Sequence, residues 1–299
     1  MKQDHHPEQT AKSFEYKWTE HPNCAFKTTL DPSSDIHQWI MRRNGWRGLS
    51  DLQSRLSTKS RILDAGCGNG RVTALLTLSA PDSAEIVGAD LVSHEIALQN
   101  LKEYSNVHIV QHDLLSSPKN LGLFDFVYCQ EVLHHTANPK GAFLNLASTL
   151  RDSASEIAIY VYKKKAPVRE YVDDFLRQKF ASLSNDEVMR HSIQLADLGR
   201  VLASLKVEFN APDVSCLGIK SGRYDIQRFF YHFFTKCFWN PELSAEENAV
   251  INFDWYSPLL CSRHETSEVR EWFNSANLSI THEFEDEYGI TMHGRPSSV

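Results

Sequence analysis

The stretch Arg61-Ile-Leu-Asp-Ala-Gly-Cys-Gly-Asn-Gly-Arg71 constrains this 299-residue chain more than any other. A short apolar run passes through Gly66, Gly68 and Gly70 into residues of helical period, with Val72, Leu75 and Leu76 on one face of 71–78. Glycines at alternate positions permit left-handed backbone where a strand turns, and they let the main chain approach a ligand closely. The helix that follows presents unbonded N–H groups in its first turn. Strand, glycine turn and helix in this order open an α/β unit.

The pattern continues downstream. Strands are expected over 85–90, 107–112, 124–129 and 156–162, with helices over 93–104 and 139–150 between them. Such alternation predicts a Rossmann-like α/β fold, a mostly parallel sheet with helices on both faces. From 163 to 264 the alternation stops. A helix is expected over 166–180, with Val168, Tyr171, Val172, Phe175, Leu176 and Phe180 as its apolar side. Ser184 with Glu187 is a capping box opening another helix. The stretch 226–239 contains an unusually aromatic run, Phe229 to Phe234. Thr266 or Ser267 caps a helix reaching Phe273, and strands at 278–283 and 289–293 follow. The predicted organisation is an N-terminal arm and short helix at 1–44, with 1–12 disordered and the helix over 35–46. A core at 45–162 and 265–299 follows, holding between its parts an inserted, largely helical substrate lobe at 163–264.

A formal net charge of −7 disfavours a protein built mainly to grip phosphate backbones. The six cysteines show no paired C-x-x-C spacing, so neither a zinc site nor a disulfide framework is expected. No apolar run nears the ~20 residues that cross a bilayer. The polar opening stretch lacks a signal core, and the expected location is cytoplasmic.

The ends of successive strands carry the functional signal. Asp90 ends the second strand, Asp113 follows the third, and Cys129-Gln130 end the fourth. Open parallel sheets bind ligands outside the carboxyl ends of their strands, so these groups converge on one edge. A carboxylate after the second strand suits ribose hydroxyls, and one after the third suits an exocyclic amine. The dinucleotide fingerprint requires a small residue where this chain has Arg71, which counts against a dehydrogenase.

Asp64-Ala-Gly-Cys-Gly-Asn-Gly70, Asp90, His112-Asp113 and Asp125-Phe-Val-Tyr-Cys-Gln-Glu-Val-Leu-His-His135 together resemble the ordered motifs of class I S-adenosylmethionine-dependent methyltransferases. The resemblance spans roughly 60–162 and resumes at 265–299. It implies a seven-stranded sheet whose last strand is antiparallel, and S-adenosylmethionine as cofactor. Asp64 and the loop Gly66, Cys67, Gly68, Asn69 and Gly70 would face its methionine part. Asp90 would take the ribose and Asp113 the adenine, with Leu91, His112 and Leu114 in the same set. Gln130 would sit near the sulfonium. Phe14 to Trp18, Lys163 to Arg169 and Asn252 to Pro258 resemble a broad bacterial branch of the family, which implies a reaction without a named target.

Methyl transfer from a sulfonium is an in-line displacement, so the protein's task is to position acceptor and donor. His134 and His135 lie where a base would take an acceptor proton; alternatively they hydrogen-bond within the loop and shape it. Arg169, Tyr224, Arg228 and Tyr256 are candidates for the acceptor site, unless Asp173 and Asp174 pair with Arg169 or Arg177. Lys163 to Lys165 either hold an anion or, for at least two of them, form a solvated charge run. Tyr16 and Trp18 are either a clasp over the cofactor or a packing strip. Glu131 with His134 or His135 could hold an ion, but no metal is expected. Beside a small-molecule methyltransferase stand three rivals: a methyltransferase acting on RNA, a nicotinamide-dependent oxidoreductase, and a non-catalytic cofactor-binding protein.

Overall fold

The computed structural model describes residues 6–297. Four helices come first: α1 (His6–Glu20), α2 (Phe26–Leu30), α3 (Asp35–Arg43) and α4 (Leu49–Leu56). The alternating core is β1 (Arg61–Ala65), α5 (Arg71–Ser79), β2 (Glu85–Asp90), α6 (His94–Asn100), β3 (Val107–Gln111), β4 (Phe126–Gln130), α7 (Pro139–Ala147) and β5 (Glu156–Tyr162). Next come α8 (Pro167–Phe180), α9 (Asn185–Ser204), β6 (Glu208–Ala211), β7 (Gly222–Asp225), α10 (Ile226–Phe233) and α11 (Ala245–Tyr256). The last elements are α12 (Thr266–Ser275), β8 (Leu278–Glu285) and β9 (Gly289–Pro296).

Seven strands form one sheet in the order β3-β2-β1-β4-β5-β9-β8. The first five are parallel, and β9 runs antiparallel to both β5 and β8. Strands buried on both faces read as continuous apolar runs, which is why Ile62, Leu63, Val127 and Ile157 through Val161 carry no charge. One face packs Leu63, Val127, Phe143, Trp272 and Phe273 together. The other packs Ile40, Trp46, Ile62, Leu75 and Tyr128. Strand order reverses between β1 and β4, and a crevice opens outside the carboxyl ends at such a point.

The chain divides into two compact units. The sheet unit comprises Trp18–Lys163 and the residues from Ser262 onward. The helical unit comprises the residues up to Lys17 together with Lys164–Cys261, including the β6–β7 hairpin. No described helix is long and apolar enough to cross a membrane.

Several local expectations are corrected. Of the stretch expected to be disordered, residues 6–12 lie in α1; residues 1–5 fall outside the described ones. The helix at α12 starts at Thr266 with Glu265 in the cap position and no side-chain cap bond. The largest correction concerns α8, where Phe180 is buried as expected and Val168, Val172 and Leu176 are half-buried, but the rest of the expected face is not. Tyr171 and Phe175 are 73% and 56% exposed, whereas Arg169, Asp173 and Arg177 are buried. The inward charges are satisfied: Arg169 pairs with Asp173 at 2.6 Å, and Arg177 donates to the Trp255 carbonyl at 2.9 Å. The Arg169–Asp173 pair is one that helix spacing allows, whereas the Trp255 carbonyl is a partner that no local spacing shows.

Candidate functional site

The glycine turn between β1 and α5 is built on three left-handed residues, Gly66, Gly68 and Gly70, at φ 78°, 57° and 85°. The Gly66 and Cys67 N–H groups donate to the Ala89 carbonyl, tying the turn to β2. A Cβ on Gly66 would lie 2.3 Å from the Val132 side chain, and one on Gly68 would lie 2.9 Å from the Trp18 ring. The turn is therefore packed where its backbone is barest. Asn69 is buried and donates to the Pro22 and Cys24 carbonyls, while Asn100 donates to Pro22 and to the Asn69 carbonyl. Burial pushes the Cys67 thiol well above its usual pKa, so it is no nucleophile. A Gly68→Val substitution adds a branched side chain to a left-handed residue already against an indole. The variant is expected to lose S-adenosylhomocysteine binding in calorimetry while its far-ultraviolet dichroism stays that of the parent. Parental affinity would refute the close approach at this residue.

Asp64 lies beneath the turn, 2% exposed, accepting the Thr73 hydroxyl at 2.6 Å. Burial raises its pKa to about 6 against the opposing effects of Thr73 and Arg71. Its observed work is to brace the turn from below. Asp90 uses Oδ2 to accept the Gly68 N–H at 3.0 Å. Its Oδ1 accepts the Val92 and Ser93 N–H groups and the Ser93 hydroxyl. A carboxylate has about four lone-pair sites, so Oδ2 keeps one for a further hydroxyl. At the next strand end the His112 N–H donates to the Asp90 carbonyl, and burial lowers the His112 pKa. Asp113 accepts the Leu115 N–H at 2.9 Å, Leu114 is buried, and Leu91 is exposed.

The end of β4 holds a group that the sequence did not reveal. Gln130 accepts the Tyr128 hydroxyl at 2.7 Å and donates to Glu131 at 3.4 Å. Glu131 occupies the left-handed region at φ 61°, a costly conformation for a residue with a Cβ. Its carboxylate meets Arg71, the first residue of α5, at 3.3 Å, and Arg71 also donates to the Thr29 hydroxyl. Glu131, weighed earlier with the histidines as an ion ligand, is thus an ion-pair partner. The only sequence hint was the cation placed directly after the glycine turn.

His134 and His135 sit in a tight turn over Leu133–His135. His134 is buried, with its ring centroid 3.7 Å from that of Tyr162. The Tyr162 N–H donates to its Nδ1, and its carbonyl accepts the Ser262 N–H. His135 lies 4.3 Å from His134, centroid to centroid, at the margin of burial. Lys163 pairs with Glu285 within the same unit.

The expected acceptor residues have partners inside the helical unit. Arg169 is 1% exposed, pairs with Asp173, donates to the Tyr231 carbonyl, and lies 5.2 Å from the Trp255 ring. Tyr256 is fully buried, donating to Asp173 and accepting the Lys236 N–H. Both belong to a buried polar network, the arrangement that desolvated charges require. Tyr224, on β7, donates to the Lys220 carbonyl and packs on Phe229 and Phe233. Arg228 lies 5.8 Å from the Tyr231 ring. Tyr16 donates to Asp186 and its ring packs on Phe253, the packing-strip alternative; Trp18, in the sheet unit, lies on Gly68.

Residues 63–155 match the family model described as a methyltransferase domain. Over 119 residues the chain is 34% identical to an uncharacterised protein of Synechococcus sp., covering 38% of this chain and 28% of that protein. Over 142 residues it is 27% identical to a ubiquinone biosynthesis O-methyltransferase of Burkholderia ambifaria, covering 46% of this chain and 55% of that enzyme. Among solved structures it is similar to an S-adenosylmethionine-dependent methyltransferase from Clostridium acetobutylicum, with a TM-score of 0.49, 10% identity, and coverage of 95% and 99% of the two chains. The chain spans about half, or less, of the length of the curated relatives it matches. Residues 63–155 thus match a methyltransferase domain, and the strand order gives the sheet a Rossmann-like fold.

Proposed function

We propose that this chain transfers a methyl group from S-adenosylmethionine to a small-molecule acceptor, with the helical unit governing which acceptor is taken. The reading rests on one observation: the glycine turn, Asp90, Asp113 and Gln130 occupy the carboxyl edge of four adjacent parallel strands. The donor set fits an adenosyl group, because Asp90 Oδ2 keeps a lone pair for a ribose hydroxyl. Bound there, the cofactor supplies a methyl already activated on a sulfonium. The residues' share is then to hold it, to exclude water and to manage an acceptor proton.

Gly66, Cys67, Gly68, Asn69 and Gly70 would hold the methionine part above Asp64. Leu91, His112, Asp113 and Leu114 would hold the adenine side, Gln130 the neighbourhood of the sulfonium, and Trp18 would cover Gly68. The Burkholderia relative is named an O-methyltransferase; an oxygen acceptor gives up a proton, and we assign its uptake to His135. His134, stacked on Tyr162, fixes the turn that carries His135.

The test is calorimetry with S-adenosylmethionine and S-adenosylhomocysteine, followed by labelled-methyl transfer into a metabolite extract. Saturable binding of both and a labelled small product are expected. His135→Ala should keep S-adenosylhomocysteine affinity and slow transfer by about 100-fold, the lower range for a lost general base. A folded protein that ignores both compounds would overturn the proposal.

A further inference from the structure

We propose that His293 is a positioning residue: through Asn44 and Tyr128 it sets the orientation of Gln130, so that its protonation is felt at the candidate site. The inference deepens the reading of that edge as the cofactor site and rests on it.

A chain of buried hydrogen bonds joins the two. Arg295 donates to Glu156 Oε2 at 2.9 and 2.6 Å. Glu156 Oε1 lies 3.2 Å from His293 Nδ1, and His293 Nε2 lies 2.9 Å from Asn44 Oδ1. The Asn44 amide nitrogen donates to the Tyr128 hydroxyl at 2.9 Å, and Tyr128 donates to Gln130 Oε1. His293, Asn44 and Tyr128 are all at least 98% buried. No water competes for these groups, so each proton has one place to be.

The direction of every bond can be deduced. The Asn44 amide nitrogen also donates to the Ile40 carbonyl at 2.8 Å, and a carbonyl only accepts; the amide orientation is therefore fixed. Asn44 Oδ1 then faces His293, so Nε2 must carry a proton. Glu156 is held ionised, its pKa lowered to about 2 by the hydrogen bonds and charges of His293 and Arg295 in spite of burial. Its oxygen also only accepts, so Nδ1 must carry a proton too. The network is complete only with an imidazolium.

Losing a proton breaks it in a defined way. The proton beside the carboxylate stays, and Nε2 gives up its own, leaving two acceptors face to face. Turning the Asn44 amide over would set its oxygen against the Ile40 carbonyl instead, so the amide keeps its orientation and the repulsion from Nε2 pushes it away from the Tyr128 hydroxyl. The Tyr128 hydroxyl then loses the donor that orients it, and its bond to Gln130 Oε1 loosens. Other groups bear on this equilibrium. The His282 ring on β8 lies 4.8 Å from His293 and donates from Nε2 to the Arg43 carbonyl. Arg55 on α4 repels a charge on His293, Arg43 on α3 lies beside Tyr128, and Lys59 interacts with Glu156. Burial, then His282 and Arg55, lower the His293 pKa against Glu156, so the change falls below the ordinary histidine range.

Calorimetry with S-adenosylhomocysteine from pH 5 to 8 reads this out. Wild-type affinity is expected to change by about fivefold across the His293 titration, a usual size for coupling between sites. His293→Gln, which can still donate to Asn44 but cannot titrate, should flatten that dependence. Gln130→Ala should flatten it as well, and the double variant should bind no more weakly than Gln130→Ala alone. Retained pH dependence in His293→Gln, or losses that multiply, would overturn the relay. Independently of any ligand, the Gln130 side-chain amide resonance should move with the His293 ring titration in the wild-type protein; a resonance that stays still defeats the proposal. Wild-type protein that ignores S-adenosylhomocysteine defeats the proposed function instead, and the Gln130 resonance then decides the relay alone.

Discussion

Asp64→Asn is expected to raise the stability of the ligand-free protein at pH 7 by on the order of 2 kcal/mol. The carboxyl is sealed under the glycine turn, and burial lifts its pKa from 3.8 to about 6. At pH 7 it is ionised in both states, and the folded state bears a cost of about 3 kcal/mol for holding the charge. Asparagine keeps the oxygen that accepts the Thr73 hydroxyl and removes the charge, while its new amide protons return part of the gain. The sign follows from linkage. A carboxyl whose folded pKa is raised binds protons more readily when folded, so wild-type stability recovers as pH falls from about 6 towards 3.8. The advantage of the variant should therefore shrink over that window. Glu156 acts oppositely: its stabilisation is complete above 4.5 and is lost as pH falls towards about 2. Urea melts of both proteins at pH 7 and pH 4 check the pair of trends. A variant less stable than its parent at pH 7 would show that Asp64 is a net support in its ionised form.

Asp90→Ala should weaken S-adenosylhomocysteine binding by about 100-fold or more, the equivalent of two charge-assisted hydrogen bonds. The substitution strips the acceptor from the Gly68, Val92 and Ser93 N–H groups at once, so the turn loses one of its ties to β2 as well as its acceptor for a hydroxyl. Calorimetry measures the loss, and thermal melting shows that the sheet persists. Affinity within threefold of the parent would mean that this carboxylate only shapes the loop.

The legible part of the fold was the part governed by local rules. Residues 61–65, 85–90 and 156–162 were expected as strands and are strands, because a sheet covered on both faces demands continuous apolar runs. The capping box at Ser184 and Glu187 was equally local and is formed. Failures occurred where distant partners overrule local pattern. The inward face of α8 depends on Trp255 and Tyr256, about 80 residues away in sequence, and four-residue strands such as β6 and β7 carry too little period to be read.

The site divides in the same way. Its glycines and carboxylates announce themselves, because each has a shape or charge that its own position explains. The Arg71–Glu131 pair joins residues 60 apart, and the contact between Asn44 and His293 joins residues 249 apart. No spacing rule covers such separations. What their sequence shows is an ordinary asparagine at a helix end and an ordinary histidine in a strand.

The anchoring of Asn69 and Asn100 on the Pro22 carbonyl bears on how small a working fragment can be. The segment 63–155 contains the turn but not the strap that clamps it, and a boundary drawn at residue 45 would sever that strap. The least piece able to keep the turn in shape thus begins well upstream of the sheet, among helices that contribute no strand and no charge to the edge.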